Sequence, residues 1–356
     1  MPVVDLPAAW LTRGPLACAL LPLAGLARAA LGVRAALWRW GWRQPWRAPV
    51  PVVVVGNVVA GGAGKTPTVM ALVRHLQLRG WHPGVVSRGY GRHDDTEAVV
   101  VAGTSPDPAQ LGDEPALIAQ ETGAPLAVGR DRPGAVATLL RQHPEVDIVI
   151  SDDGMQHWAL ARDLTIVVFD ERDVGNGWLL PAGPLREPWP ARLLPLGPLW
   201  VLRTAPPHQP PRAHPYPEYR ATRALAPDAI GMAGERMPLQ TWATAHAPVG
   251  ALAGIARPEA FFAQLRERGL ALAQTLALPD HAPAPVLQAA LAQAAATAQA
   301  PRIWLCTDKD AVKLRGRPLP PGVSLWRVPL LLSPEPAWVA ALDRLLDDWR
   351  ARRDAL

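Results

Sequence analysis

The sequence is short of cysteine, short of lysine, and without net charge outside its first fifty residues. Each shortage excludes something. Cys18 and Cys306 are its two cysteines and stand far apart, so neither a disulfide framework nor a cysteine-rich metal site is available, and a reducing compartment fits. Of 36 basic residues, only Lys65, Lys309 and Lys313 are lysines. They become candidates for places where a compact ammonium is needed and a planar guanidinium does not substitute. The formal net charge of +5 lies wholly within residues 1–50, in Arg13, Arg28, Arg34, Arg39, Arg43 and Arg47 against Asp5. A nucleic-acid-binding protein would carry basic charge on its body; this body is neutral, which excludes nucleic acid as a partner. The uncharged run 14–27 falls short of the roughly 20 residues that span a bilayer as a helix.

What is present is a chain of 356 residues, 49% apolar, long enough for two domains with sizeable cores. Residues 1–48 read as a helical, membrane-associated segment. On a helical wheel Arg28, Arg39 and Arg43 share a face and Arg34 points away, while Trp38, Trp40, Trp42 and Trp46 interleave with the arginines. Arginine with tryptophan suits the headgroup level of a membrane, so anionic lipid is the expected partner surface. A helix docked on the body and a cleaved signal peptide are the alternatives. Ala27-Arg28-Ala29 loosely resembles a cleavage site, but Asp5 and the lack of a basic residue before Arg13 speak against one. Residues 49–200 read as an α/β core and 201–246, dense in proline and arginine, as a linker. Residues 247–356 read as a smaller α/β domain with strands at Gly250–Ile255 and Ile303–Cys306.

The core opens on a β-branched run, 50–55, that predicts a buried parallel strand. It leads into Gly56-Asn57-Val58-Val59-Ala60-Gly61-Gly62-Ala63-Gly64-Lys65-Thr66 and then a helical spacing to Leu78. Strand, glycine-rich turn, Gly-Lys-Thr and helix form the P-loop context for ATP. Backbone N–H groups over Val59, Ala60, Gly61, Gly62, Ala63 and Gly64 are expected to cradle phosphates, with Lys65 on the β/γ-phosphates and the Thr66 hydroxyl on magnesium. The pattern departs at Val59, where a P-loop has its first glycine. A second strand, 146–150, ends at Asp152-Asp153, the position where a carboxylate holds the metal; Asp153 is expected nearest the ion. Further strands at Gly84–Ser87 and Leu164–Phe169 complete a doubly wound, P-loop NTPase-like parallel sheet. Asp113, after Gly112, suits either a helix cap or a base that takes the proton of an attacking alcohol. Gln156 and His157 follow the acidic pair closely enough to contact substrate or nucleotide.

These motifs together resemble the lipid A 4'-kinase (tetraacyldisaccharide 4'-kinase) family. The matching pieces are VVVVGNVVAGGAGKTP at 52–67, VVSRGYGR at 85–92, GDEP at 112–115, DDGMQH at 152–157 and GNGWLLPAGPLREP at 175–188. ALAGIARPEAFF at 251–262, LPDHAPA at 278–284 and TDKDAVKL at 307–314 continue the match in order. The resemblance implies ATP-dependent phosphorylation of the 4'-hydroxyl of a tetraacylated glucosamine disaccharide 1-phosphate, giving the bis-phosphorylated lipid A precursor. It implies a place on the cytoplasmic face of the inner membrane, peripheral or monotopic; a monomer is expected, though the sequence does not give the oligomeric state. It assigns Asp113 as base, His281 as its partner, Lys65 and Arg186 to the transferring phosphate, and Thr66, Asp153 and Asp152 to magnesium. Arg88, Tyr90, Glu114, Gln156 and His157 fall on the substrate side. Ala282, Met155 and Asp308 depart from the commoner family residues without removing a needed chemical group. The main alternative is a membrane-associated P-loop ATPase switch, which would favour a lysine where Ala60 stands.

Overall fold

The computed structural model describes residues 9–89, 99–102, 106–191, 197–208, 210–297 and 299–354. Its strands are Val52–Gly56 (β1), Pro83–Ser87 (β2), Val99–Val101 (β3), Leu126–Val128 (β4), Ile148–Asp152 (β5), Leu164–Phe169 (β6), Leu199–Arg203 (β7) and Glu218–Leu225 (β8). They continue with Asp228–Gly231 (β9), Arg236–Pro238 (β10), Val249–Ala253 (β11), Leu272–Ala277 (β12), Ile303–Thr307 (β13), Ser324–Val328 (β14) and Leu330–Pro334 (β15). Nine of them form one sheet in the order β15-β8-β7-β6-β1-β5-β2-β4-β3, and six form a second, β10-β9-β14-β13-β11-β12. The first sheet is parallel from β8 through β4, with antiparallel β3 and β15 at its edges.

The phosphate-loop strand β1 lies between β5 and β6. All five of its residues are buried, as a parallel strand with helices on both faces requires. Val53 and Val55 pack under the helix Lys65–Leu78 with Leu72 and Leu76. Val52 and Val54 point the other way, to Ala135 and Leu139 of the helix Arg132–Gln142. The two-residue period of a strand produces this split, and each buried valine contributes about 1.5–3 kcal/mol.

Residues 201–246, read from their prolines as a linker, are built into the sheets instead. They carry the end of β7 and all of β8, β9 and β10. The whole six-stranded unit sits between β8 and β15, and β15 then returns to pair antiparallel with β8. The helix Pro336–Asp354 follows β15 and fills the first core, not the second, through Trp338, Leu342 and Leu346. His75 Nε2 meets Asp343 Oδ1 at 2.7 Å across that contact.

At the other end, Pro15–Ala19 and Leu21–Arg39 are helical. The second is long and apolar enough, by length and composition, to cross a membrane; the helix runs past Arg28 and Arg34, where the uncharged run stops. One stripe docks. Ala24 packs into the cluster around Phe169 and Trp189, with Leu20 and Leu31 against it. Arg34, the arginine that points away from the others, lies 4.3 Å over the Trp158 ring and donates to the Gln156 carbonyl at 2.7 Å. The opposite stripe, Leu23, Leu26, Val33 and Trp40, is exposed, with Leu26 at 69%.

Candidate active site

The phosphate loop leaves β1 at Gly56 and ends at Gly64, whose φ of 89° lies in the left-handed region that favours glycine. Lys65 opens the helix and is nearly buried. Its Nζ donates to Asn57 Oδ1 at 3.2 Å and lies 3.5 Å from Asp153 Oδ1. The Thr66 hydroxyl donates to Glu114 Oε2 at 3.0 Å. Arg172, held by Asp170 at 2.7 Å, donates to the Gly62 carbonyl at 2.8 Å and so braces the loop from outside. The start of the loop does different work from the one expected of it. Val59 bridges to Leu185, and the Ala60 N–H donates to the Pro184 carbonyl at 2.7 Å. That donor is therefore spent on protein. This pairing also explains why valine serves at 59 where a tight turn would want glycine.

Asp152 and Asp153 end β5 in unlike surroundings. Asp152 is 2% exposed and accepts from Ser87 Oγ at 2.9 Å; its Oδ1 has no partner among the described residues. Burial, helped by Glu114 and Asp153, pushes its carboxyl up to about 6. Asp153 has a φ of 47° and accepts from Arg186 Nη1 at 3.1 and 3.2 Å. Burial works against its charge, but Lys65 and Arg186 hold the carboxyl below its usual range. Asp153, expected nearest a metal, is thus already flanked by two cations, while Asp152 keeps the free oxygen. Beneath both, the fully buried Arg132 donates to the Asp152 carbonyl at 3.1 Å and to the Gly129 carbonyl at 2.6 Å. Burial lowers its guanidinium to about 10.

Gly112 caps the helix Asp113–Thr122, and Asp113 does not cap it with its side chain. The Asp113 carboxylate instead faces the second sheet. Lys313 Nζ lies 3.1 Å from Oδ2 and His281 Nδ1 lies 3.8 Å from the same oxygen. Burial opposes its ionisation, and His281 and Lys313 overcome that and hold the carboxyl low. The Asp113 carboxylate in turn raises the His281 imidazole. His281 has a φ of 59°, a costly backbone for a bulky residue that aims the ring at Asp113. Lys313 also donates to the Ala282 carbonyl at 3.1 Å, tying down that turn. Glu114 pairs with Lys309. Burial alone would raise its carboxyl, but Lys309, Lys65 and Thr66 take it to about 2. Glu114 therefore sits with the phosphate loop and Thr66.

TDKDAVKL at 307–314 carries both lysines. Asp310 accepts from Gly254 N at 3.0 Å and from Thr307 Oγ1 at 2.7 Å, which fixes the start of the helix Asp308–Leu314 at the edge of β13. Asp308 takes Arg327 at 2.7 Å, and Arg327 reaches Glu121 on the first unit at 2.8 Å. Between the two sheets lies a cleft of about 240 Å³, lined by the loop Gly62–Thr66, Glu114, Lys309, Ile255 and Phe261 among others.

Asp113, His281, Lys65, Thr66, Glu114, Asp152, Asp153 and Arg186 thus form one connected set at the sheet edge. Gln156 is not available to it. Its Nε2 donates to Glu187 Oε1 at 2.6 Å and to the Asn57 carbonyl at 3.2 Å, bracing the loop from behind. His157 is half-buried, and burial, then Arg132 and Arg88, push its imidazole down to about 4. Arg88 is exposed after β2, and Tyr90 lies outside the described residues. Sequence reasoning missed Asn57, Arg132, Arg172 and the pairings of Lys309 and Lys313. Only the scarcity of lysine pointed at the last two.

A family model described as tetraacyldisaccharide-1-P 4'-kinase matches residues 16–347. The tetraacyldisaccharide 4'-kinase of Polaromonas sp. (strain JS666) is 52% identical over 337 residues, covering 95% of this chain and 94% of that protein. Its counterpart from Delftia acidovorans is 47% identical over 348 residues, covering 97% and 96%. A crystal structure of LpxK from Aquifex aeolicus in complex with ATP superposes with a TM-score of 0.75 at 25% identity, covering 94% of this chain and 99% of that one.

Proposed function

The chain belongs to the tetraacyldisaccharide 4'-kinase family, and from that premise we propose how the residues of the cleft share the work. The reaction is transfer of the γ-phosphate of ATP to the 4'-hydroxyl of a tetraacylated glucosamine disaccharide 1-phosphate, a step of lipid A biosynthesis. The observation that carries the residue roles is the meeting of two groups across the cleft. The phosphate loop with Lys65 comes from one sheet, and His281 and Lys313 come from the other to flank Asp113.

The N–H groups of Gly61–Gly64 and the Lys65 ammonium receive the phosphates at the positive end of the helix. Asp113 accepts the 4'-hydroxyl proton as that oxygen bonds to the γ-phosphorus. The bond from that phosphorus to the β,γ-bridging oxygen breaks, and ADP leaves with its electron pair. His281 orients the Asp113 carboxylate, and Lys313 keeps it ionised. Arg186 stands on Asp153 where charge spreads in the transition state, which is most of what phosphoryl transfer asks of a protein.

Magnesium fits the residues present. Asp152 has a buried, unpartnered oxygen, Asp153 and the Thr66 hydroxyl are near, and no group of three or more His, Cys, Asp or Glu forms a ready metal cage among the described residues. Such a sparse set suits an ion held by one or two carboxylates and by phosphate oxygens. Thr66, Asp152 and Asp153 would hold it, and it would neutralise charge on the β- and γ-phosphates.

We place the enzyme at the cytoplasmic face of the inner membrane as a monomer. The exposed stripe Leu23, Leu26, Val33 and Trp40 enters the interface, and Arg28, Arg39 and Arg43 meet anionic headgroups. The substrate's acyl chains keep it in the leaflet, so the enzyme must go there. Incubation with labelled ATP, magnesium and the acylated disaccharide 1-phosphate tests the reading. Label in a bis-phosphorylated lipid is expected; ATP hydrolysis without lipid labelling would sink it.

A further inference from the structure

The helix Asp113–Thr122 is held to the second unit at both of its ends. Its first turn carries Asp113 and Glu114, which meet Lys313 and Lys309. Its last turn carries Gln120 and Glu121, which meet Arg315 and Arg327. Glu114 and Glu121 are two turns apart and share a face, about 10 Å from each other along the axis. The first end holds reacting groups; the second holds none. Arg327 is mounted stiffly. Trp326 and Val328 on either side of it are buried in the second core, and the two-residue period of β14 turns Arg327 the other way. There its Nη1 donates to Asp308 Oδ1 at 2.7 Å, and its Nη2 lies 2.8 Å from Glu121 Oε1. Asp308 is the first residue of the helix that carries Lys309 and Lys313. The other oxygen of Glu121 accepts from Arg74 at 3.3 Å, on the helix that Lys65 and Thr66 open.

The chain Arg74, Glu121, Arg327, Asp308 thus joins the three helices that supply the phosphate-loop lysine, the base and the two lysines facing it. The side chains of Arg327 and Glu121 are each 12% exposed, so salt and solvent screen the pair little. A cavity of about 210 Å³ adjoins it, lined by Gln120, Glu121, Met232, Ala311, Arg315 and Arg327 among others. Apolar packing therefore does not fill the join at this end, and the ion pairs set its spacing. We propose that Arg327 is a positioning residue for the transfer: gripping Asp308 and Glu121 together, it fixes the helix of Lys309 and Lys313 against the helix of Asp113 and Glu114. Arg327 touches no reacting atom and acts through the two helices it ties. The proposal rests on the kinase reading and extends it to residues outside the cleft.

The test uses the full chain. Glu121→Gln removes the charge that Arg327 grips on the first unit and leaves Arg327 on Asp308. It should lower kcat by about 3- to 30-fold, and Arg327→Met by about 10- to 100-fold, the scale of moving a reacting group by up to an ångström. The KM for ATP should stay within about twofold, because the phosphate loop itself is untouched. Arg327→Lys should recover part of the rate, since one ammonium does not span two carboxylates as a planar fork does. In the double variant the two losses should not add, because both remove the same contact. The acid limb of kcat/KM should move to higher pH, as Asp113 loses part of the hold of His281 and Lys313. A second readout needs no turnover. Asp113 raises the His281 imidazole, which Asp280, Lys309 and Glu114 also face. Its NMR titration, assigned with His281→Gln, should fall toward the ordinary value in Glu121→Gln. An unmoved His281 titration, or a kcat within about twofold of wild type, would overturn the proposal. So would a loss of rate that merely tracks the folded fraction in thermal unfolding while the acid limb stays in place. Should Arg327→Met fail to fold, Glu121→Gln still decides. If wild type transfers no phosphate, the kinase reading fails on its own, and the His281 titration still reports on the grip of Arg327.

Discussion

Replacing Lys313 by methionine removes one ammonium from beside Asp113 and keeps the length of the side chain. Nζ lies 3.1 Å from Asp113 Oδ2, with side-chain exposures of 6% for the lysine and 24% for the aspartate. Two unit charges at that distance attract by about 5 kcal/mol at an effective dielectric near 20. Solvent reaches Asp113 and His281 remains 3.8 Å away, so much of that is recovered. A net loss of about 1–3 kcal/mol remains, in the range of a hydrogen bond to a charged group. Expressed in the transition state this is about 5- to 150-fold in kcat/KM. The pH dependence moves with a definite sign. Burial favours the protonated Asp113, and His281 and Lys313 hold the carboxyl below its ordinary value; removing Lys313 lets it rise. The acid limb of kcat/KM, where the base becomes protonated, therefore shifts to higher pH. Lys313→Arg should restore the rate only in part, because a planar fork cannot replace one ammonium serving both Asp113 and the Ala282 carbonyl. Initial rates with labelled ATP between about pH 5 and about pH 9, with thermal unfolding as a check on the fold, read this directly. An unmoved acid limb at an undiminished rate would refute the assignment of Asp113 as the base held by Lys313.

Asp113→Ala should lower kcat by about 10²- to 10⁴-fold, the scale of general-base loss, while binding of a non-hydrolysable ATP analogue stays near wild type; near-normal turnover would move the base elsewhere. Leu23→Glu, Leu26→Glu and Val33→Glu together lie on the exposed stripe and should leave the circular dichroism intact. Each residue withdrawn from the bilayer costs about 1.5–3 kcal/mol, so co-sedimentation with anionic vesicles should be lost; unchanged partition would count against the membrane face. His157→Gln should flatten the acid side of the stability curve. The unfolded imidazole takes a proton below 6.5, whereas burial, then Arg132 and Arg88, keep the folded one neutral down to about 4. Wild type therefore loses stability as pH falls through that window, by about 1–2 kcal/mol after allowing for partial exposure. Urea midpoints near pH 7 and pH 4.5 that fall equally in both proteins would contradict this.

The parts legible in the sequence were those whose physics is local. β1 and β6 read as apolar runs because both faces of each strand are buried. The turn from β1 into the helix Lys65–Leu78 was legible because neighbours in sequence make it. β5 was placed two residues early, since Ser151 and Asp152 are polar yet belong to the strand. β8 was invisible. It lies near the sheet edge and buries only Ala221 and Leu225 of its eight residues, so no apolar alternation marks it among the arginines. The pairings of Lys309 with Glu114 and Lys313 with Asp113 join residues about 200 positions apart. Nothing local encodes them. The rarity of lysine marked the residues, and only the fold named their partners.

The return of β15 to β8 bears on how the protein is made. The nine-stranded sheet and its core are finished by β15 and by Trp338, Leu342 and Leu346 of the helix Pro336–Asp354. As the chain emerges during synthesis, β8 must wait with one edge open until the entire six-stranded unit has followed it. Completion of the nine-stranded sheet then comes only after the second sheet has been made. A truncation after β14 would leave the second sheet whole and the ATP-binding half without β15 and without Trp338, Leu342 and Leu346 in its core, an enzyme lost from the end that holds none of its chemistry.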